Sequence, residues 1–138
     1  MELRLITFTT NLEPIIASAV LTTTSGSQPS VLFSRMIDNP EKVAEIIQRI
    51  ELQHGSIFEH NRFIWIAEAE GSEVLSVILR NRYFTITRLD SNRWLVSGNL
   101  RSIIEYLENE DDEFSKSIIV SLRESAQFVY NIVRRKNI

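Results

Sequence analysis

Apolar and polar positions alternate over residues 2–9, where Leu3, Leu5, Ile6 and Phe8 are apolar, and this predicts a strand. From Leu12 the spacing becomes helical, with Leu12, Ile15, Ile16, Ala19 and Val20 on one face. Asn11 stands at the start, where its side chain can accept a hydrogen bond from an unpaired first-turn amide, and Pro14 is tolerated that early. Residues 22–30 (TTTSGSQPS) are the longest stretch of low hydrophobicity and predict a loop. Asn39-Pro40 then predicts a helix start, because proline in the first turn forfeits no internal hydrogen bond. The apolar face of that helix is Val43, Ile46, Ile47 and Ile50, and its stop is predicted at His54-Gly55.

Phe63, Trp65 and Ala67 alternate with Ile64, Ile66 and Glu68, and a strand so apolar on both faces belongs near the middle of a sheet. Gly71-Ser72 opens a shorter helix carrying Val74, Leu75, Ile78 and Leu79. Residues 83–88 and 93–97 are β-rich and flank Leu89-Asp90-Ser91-Asn92, which predicts a hairpin with a polar turn. A helix beginning at Gly98 or Asn99 carries Ile103, Ile104 and Leu107, then meets an acidic run over residues 108–113 that reads as a solvated connection. Ile118, Ile119, Leu122, Ala126, Val129, Ile132 and Val133 predict one last helix over residues 113–135, ~33 Å long. Its acidic start and basic Arg134-Arg135-Lys136 end suit the helix dipole. The expected architecture is α+β: one domain over residues 1–138, with helices packed on a small, mainly antiparallel sheet.

A chain of 138 residues can bury a core, and a hydrophobic share of 43% is ordinary for a globular protein. The formal net charge of −3 argues against non-specific binding to nucleic acid or an anionic membrane, while leaving a local basic patch free to take phosphate. Cysteine is absent, which excludes disulfides, thiolate nucleophiles and sulfur-based zinc sites. No apolar run reaches the length that spans a bilayer and the N-terminus lacks a signal-peptide pattern, so a cytoplasmic protein is expected. No serine stands in a nucleophile-elbow context, and Gly26 is the only glycine of the 22–30 stretch, so neither a hydrolase nor a glycine-rich phosphate loop finds support.

The densest polar chemistry lies between His54 and Arg82. His54-Gly55-Ser56-Ile57-Phe58-Glu59-His60 precedes the apolar strand, and Arg80-Asn81-Arg82 follows the next helix. Two guanidinium groups returning beside a hydroxyl and a carboxylate suit a phosphorylated or dinucleotide-like ligand. Glu59, set between Phe58 and an apolar strand, calls for a cationic partner, and Arg80 and Arg82 are the nearest candidates. That pairing serves equally as part of a ligand site or as a structural ion pair.

Three motifs extend this picture. Ser56-x-x-Glu59-His60 follows a predicted helix ending at Leu52-Gln53-His54, and Arg80-Asn81-Arg82 comes one strand and one helix later. Asn99-Leu100-Arg101-Ser102 stands between Trp94-Leu95-Val96 and Ile103-Ile104. Through them the chain resembles, over roughly residues 40–107, the flavin-dependent thymidylate synthases of the ThyX family. The resemblance implies a ThyX-like fold and FAD as the cofactor that carries a reducing equivalent from NADPH. It also implies methylation of dUMP to dTMP with methylenetetrahydrofolate, at sites between subunits of a homo-oligomer (tetramer or dimer). It assigns cofactor contacts to Ser56, Glu59, Arg80, Arg82, Asn99 and Arg101.

The chain also departs from the family pattern. Asn81 replaces the central histidine of the signature and cannot titrate near neutral pH. Thr87-Arg88 brings a cation where the family has a neutral or acidic residue. Glu110 stands near the place of a nucleotide-binding arginine, and a carboxylate repels phosphate. Ser91, the nearest match to the signature serine, reads better as a turn residue, and Leu95 to Gly98 are all that replace a long helical segment. The expected protein is therefore a divergent, truncated ThyX relative without thymidylate synthase activity, keeping a flavin or nucleotide pocket at a subunit interface. The alternatives are an active FAD-dependent synthase, with Arg88 and Arg93 replacing the missing cations, and a non-catalytic protein-interaction module.

Overall fold

The strand that is apolar on both faces takes the inside of the sheet, as its pattern predicts. The computed structural model describes residues 1–50 and 55–136. In it β1 (Glu2–Phe8), β2 (Phe63–Glu68), β3 (Thr85–Arg88) and β4 (Arg93–Gly98) form one sheet in the order β1-β2-β4-β3, every pair antiparallel. Seven helices accompany it among the described residues: α1 (Leu12–Thr22), α2 (Pro29–Ile37), α3 (Pro40–Gln48), α4 (Gly71–Arg80), α5 (Leu100–Asn109), α6 (Glu113–Ser125) and α7 (Gln127–Arg135). The architecture is α+β, a small antiparallel sheet packed with helices. Among the described residues no helix is long and apolar enough to cross a membrane.

Phe63, Trp65 and Ala67 are buried in the core, and the Trp65 indole N–H donates to Ser121 Oγ at 2.9 Å. Phe84, Tyr106 and Phe114 meet edge to face beside them, with centroids 4.9–6.0 Å apart. Ile64, Ile66 and Leu95 point to the other face, where they are half-buried and outside the core. Gly98 closes β4 where a Cβ would lie 2.7 Å from Phe84 Cδ1. Phe84 is itself packed against Trp65, Tyr106 and Phe114 and cannot yield. Gly98→Ala is therefore expected to lower stability by about 1–3 kcal/mol in a urea titration.

Local rules hold where they are strong. Asn39 caps α3, its Oδ1 accepting the Lys42 amide at 3.1 Å, with Pro40 in the first turn. Asp90 organises the β3–β4 turn, its Oδ1 accepting the amides of Asn92 and Arg93 at 3.1 and 2.9 Å, so Ser91 is a turn residue.

Several expectations need correction. Asn11 does not cap α1 through its side chain. It adopts the left-handed conformation (φ 56°), which asparagine tolerates, and its carbonyl accepts the Ile15 amide. The loop over residues 22–30 gives way at Pro29 to α2, a helix the pattern did not announce. α3 ends at Gln48, short of the stop predicted at His54-Gly55, and His54 lies outside the described residues.

The predicted 113–135 helix is two helices, broken at the buried Ala126 (φ −144°, ψ 69°). At the break the Val129 amide loses its intrahelical partner and donates instead to Glu13 Oε2 of α1, at 3.0 Å. Nor is the acidic run a plain solvated connection. Asp112 caps α6 and also receives Tyr106 Oη and Arg80.

Candidate functional site

The antiparallel pairing of β2 with β4 sets Phe63 opposite Gly98. Residues just before β2 and just after β4 therefore share one end of the sheet. The segment before β2 is a 3₁₀ turn, Gly55–Glu59, and the segment after β4 is the start of α5. Asn61 joins them: its Nδ2 donates to the Phe58 carbonyl and its Oδ1 accepts the Leu100 amide, both at 2.8 Å.

With the two segments held this way, Arg101 Nη1 donates to Glu59 Oε1 at 2.7 Å across 42 residues of sequence. Asn99 caps α5, its Oδ1 accepting the Ser102 amide at 2.9 Å and Ser102 Oγ at 3.1 Å. Tyr83, from the turn after α4, completes a small cleft lined by Glu59, Tyr83, Asn99, Arg101 and Ser102, with a volume of about 90 Å³. A wider depression of about 330 Å³ opens on the other side of Arg101, against Gly55, Phe58 and Glu105.

Glu59, Asn99 and Arg101 thus come together, whereas Arg82 does not line the cleft and touches only its Tyr83. The Arg82 guanidinium lies 5.3 Å from the centre of the Tyr83 ring, and its Nη2 donates to Tyr83 Oη at 3.4 Å. The hydrogen bond to Glu59 raises the Arg101 guanidinium above its ordinary range, and that to Tyr83 does the same for Arg82. Glu105 on α5 adds negative charge beside both. The cations stay charged at any ordinary pH and present N–H donors to an anion.

Two residues assigned to the same site lie elsewhere. Arg80, the last residue of α4, turns to the α5–α6 junction, 2.7 Å from Asp112 Oδ2 and 3.6 Å from Glu110 Oε2. Ser56 lines a separate depression of about 380 Å³ with Val20, Ile46, Arg49 and Ile57, on the side facing α1 and α3. The two arginines of Arg80-Asn81-Arg82 part because Asn81 is a structural hinge. It is buried, extended (φ −150°, ψ 114°), and its Oδ1 accepts the Tyr83 amide at 2.8 Å. Arg88 and Arg93 are engaged by Asp90 at the opposite end of β4 from the cleft.

Tyr83, Asn61 and Gly55 have roles that sequence reasoning did not assign. Tyr83 carries a usable signal, an aromatic ring next to Arg82, whereas Asn61 carries none, since its two partners come from distant backbone. Gly55 is where the Arg101 guanidinium lies across the chain: a Cβ there would stand 2.6 Å from Arg101 Nε. Unlike Phe84 beside Gly98, Arg101 is exposed and flexible. Gly55→Ala is expected to move the guanidinium off Glu59 while changing stability by less than about 0.5 kcal/mol in a urea titration.

No protein-family model and no curated protein matches this sequence.

Proposed function

We propose that the chain is a divergent relative of the flavin-dependent thymidylate synthases that binds a flavin or nucleotide at a subunit interface and does not methylate dUMP. The observation that carries this reading is the meeting of two remote motifs: Glu59, Asn99 and Arg101 line one cleft with Tyr83. The Glu59–Arg101 pair is about half exposed on both sides. Such a pair contributes little to folding, so its geometry is available for a ligand.

A phosphate or an anionic ring edge would take the Arg101 and Arg82 donors, and the Tyr83 ring offers a flat surface to a planar heterocycle. These side chains fit the anionic or aromatic part of FAD. The cleft of about 90 Å³ is much smaller than the roughly 300–1,000 Å³ of ordinary ligand sites, so this reading requires a second copy of the chain to complete it.

The same residues support the proposed loss of the synthase reaction. Asn81 has no proton to exchange near neutral pH and its oxygen is already engaged, while Arg80 is held by Asp112 and Glu110. The test is a visible spectrum of protein incubated with FAD and desalted, followed by turnover assays with dUMP, NADPH and methylenetetrahydrofolate. Retained flavin without dTMP formation is expected. Protein that emerges colourless, or that forms dTMP at an enzymatic rate, contradicts the proposal.

A further inference from the structure

Among the described residues, Arg101 is the one that lines both cavities of the site. On one side is the cleft of about 90 Å³ with Glu59, Tyr83 and Asn99. On the other is the depression of about 330 Å³ with Gly55, Phe58 and Glu105. The guanidinium lies across Gly55, where a Cβ would stand 2.6 Å from Nε and 2.8 Å from Cζ. A single side chain is therefore the wall between the two spaces.

That wall is lightly held. Among the described residues Arg101 makes one hydrogen bond, from Nη1 to Glu59 Oε1 at 2.7 Å, and the two side chains are 51% and 45% exposed. An ion pair this exposed is weak, so releasing it costs little. Glu59 is the last residue of the 3₁₀ turn, and its carboxylate can turn to water. While it stays on Arg101 it works against an anionic ligand in two ways. It occupies a guanidinium N–H, and it repels a second negative group from a cleft too small to hold both.

We infer that the Glu59–Arg101 pair is an autoinhibitory latch: Glu59 holds the place of the ligand's anionic group on Arg101, and a phosphate or anionic ring edge enters by exchanging with it. This deepens the function proposed above and rests on that ligand site. Once the guanidinium leaves Glu59, the cleft and the depression join, and together they reach the lower end of the roughly 300–1,000 Å³ of ordinary sites. The joined space takes the anionic end of a flavin or nucleotide, and the rest of the ligand lies against the second copy. Glu105, four residues further along α5, lines the depression and adds negative charge that keeps the released guanidinium at the site. Glu59 is then a competitor of the ligand, where the family resemblance makes it a contact.

The test titrates the full chain with FAD, and separately with inorganic pyrophosphate, as wild type, Glu59→Gln and Glu105→Gln. Glu59→Gln should tighten binding about two- to fivefold, the worth of an exposed ion pair. Glu105→Gln removes an equal charge but no bond to Arg101, and should change binding by less than about twofold. Relaxation of the ¹⁵N-labelled Arg101 Nε–H reads the latch with no ligand present. That group should be ordered in the wild type and Glu105→Gln, and mobile in Glu59→Gln. Binding that Glu59→Gln weakens or leaves unchanged overturns the latch, as does an Arg101 equally mobile in all three proteins. Failure of the flavin reading looks different. Pyrophosphate bound more tightly by Glu59→Gln, with FAD taken by none of the three, keeps the latch and removes the flavin, and binding of neither probe removes both.

Discussion

Asp112→Ala is expected to cost about 3 kcal/mol of stability and to lower Tm by roughly 10 °C. Three interactions end on this carboxylate. Its Oδ1 caps α6 by accepting the Ser115 amide at 2.8 Å, and loss of such a cap costs about 1 kcal/mol. Its Oδ2 accepts Tyr106 Oη at 2.5 Å, and Tyr106 is almost wholly buried, so the orphaned hydroxyl adds about 1–2 kcal/mol. Arg80 adds little as an exposed partner.

Burial works to raise the Asp112 pKa, but hydrogen bonds from Tyr106, the Ser115 amide and Arg80 outweigh it and hold the carboxyl below its ordinary value. A depressed folded-state pKa means a stabilising contribution that is present above the unfolded value of about 4 and lost as pH falls through the folded one. Thermal melts of the wild type and Asp112→Ala should therefore converge at strongly acid pH. A loss below about 1 kcal/mol at neutral pH would mean that these bonds do not hold the α4–α5–α6 junction.

Glu13 works in the opposite direction. Burial pushes its pKa up to about 7, against the Val129 and Phe128 amides that favour the ionised form. A folded-state pKa above the unfolded 4.5 gives a contribution that is full below pH 4.5 and lost as pH rises through about 7. The wild type should lose about 2 kcal/mol between roughly pH 5 and pH 7.5 and little more above that, which places its stability maximum below about pH 5. Glu13→Gln keeps an oxygen for the Val129 amide and carries no charge, so it should flatten that slope and exceed the wild type at high pH. Urea titrations across the range measure both effects, and a wild-type stability flat across it would contradict the assignment to Glu13.

These residues also mark the limit of what could be read from the chain. Asn39-Pro40, the apolar strand at β2 and the Asp90 turn act through neighbours a few residues away, so their patterns are legible. The break at Ala126 is not, because the helical spacing runs through it unchanged and the partner of the freed amide is Glu13, 116 residues distant. α4 shows a different limit: with valines on one face and leucine and isoleucine on the other, periodicity announces a helix but not which face is buried. In the site, sequence proximity favoured Arg80 or Arg82 as the partner of Glu59. The pairing of Phe63 with Gly98 brings Arg101 there instead, while the buried Asn81 sends Arg80 to Asp112.

The central claim is that Glu59, Asn99 and Arg101 form a ligand site and not merely a surface ion pair. Its most direct test is titration of the full-length protein with FAD, followed by flavin absorbance and fluorescence, comparing the wild type with Arg101→Ala and Arg49→Ala. Arg49 lies by the separate Ser56 depression and serves as the cationic control. The expected result is saturable binding in the micromolar range, weakened at least about tenfold by Arg101→Ala and unchanged by Arg49→Ala. Absence of saturation up to about 1 mM FAD, or equal binding by all three proteins, would contradict it.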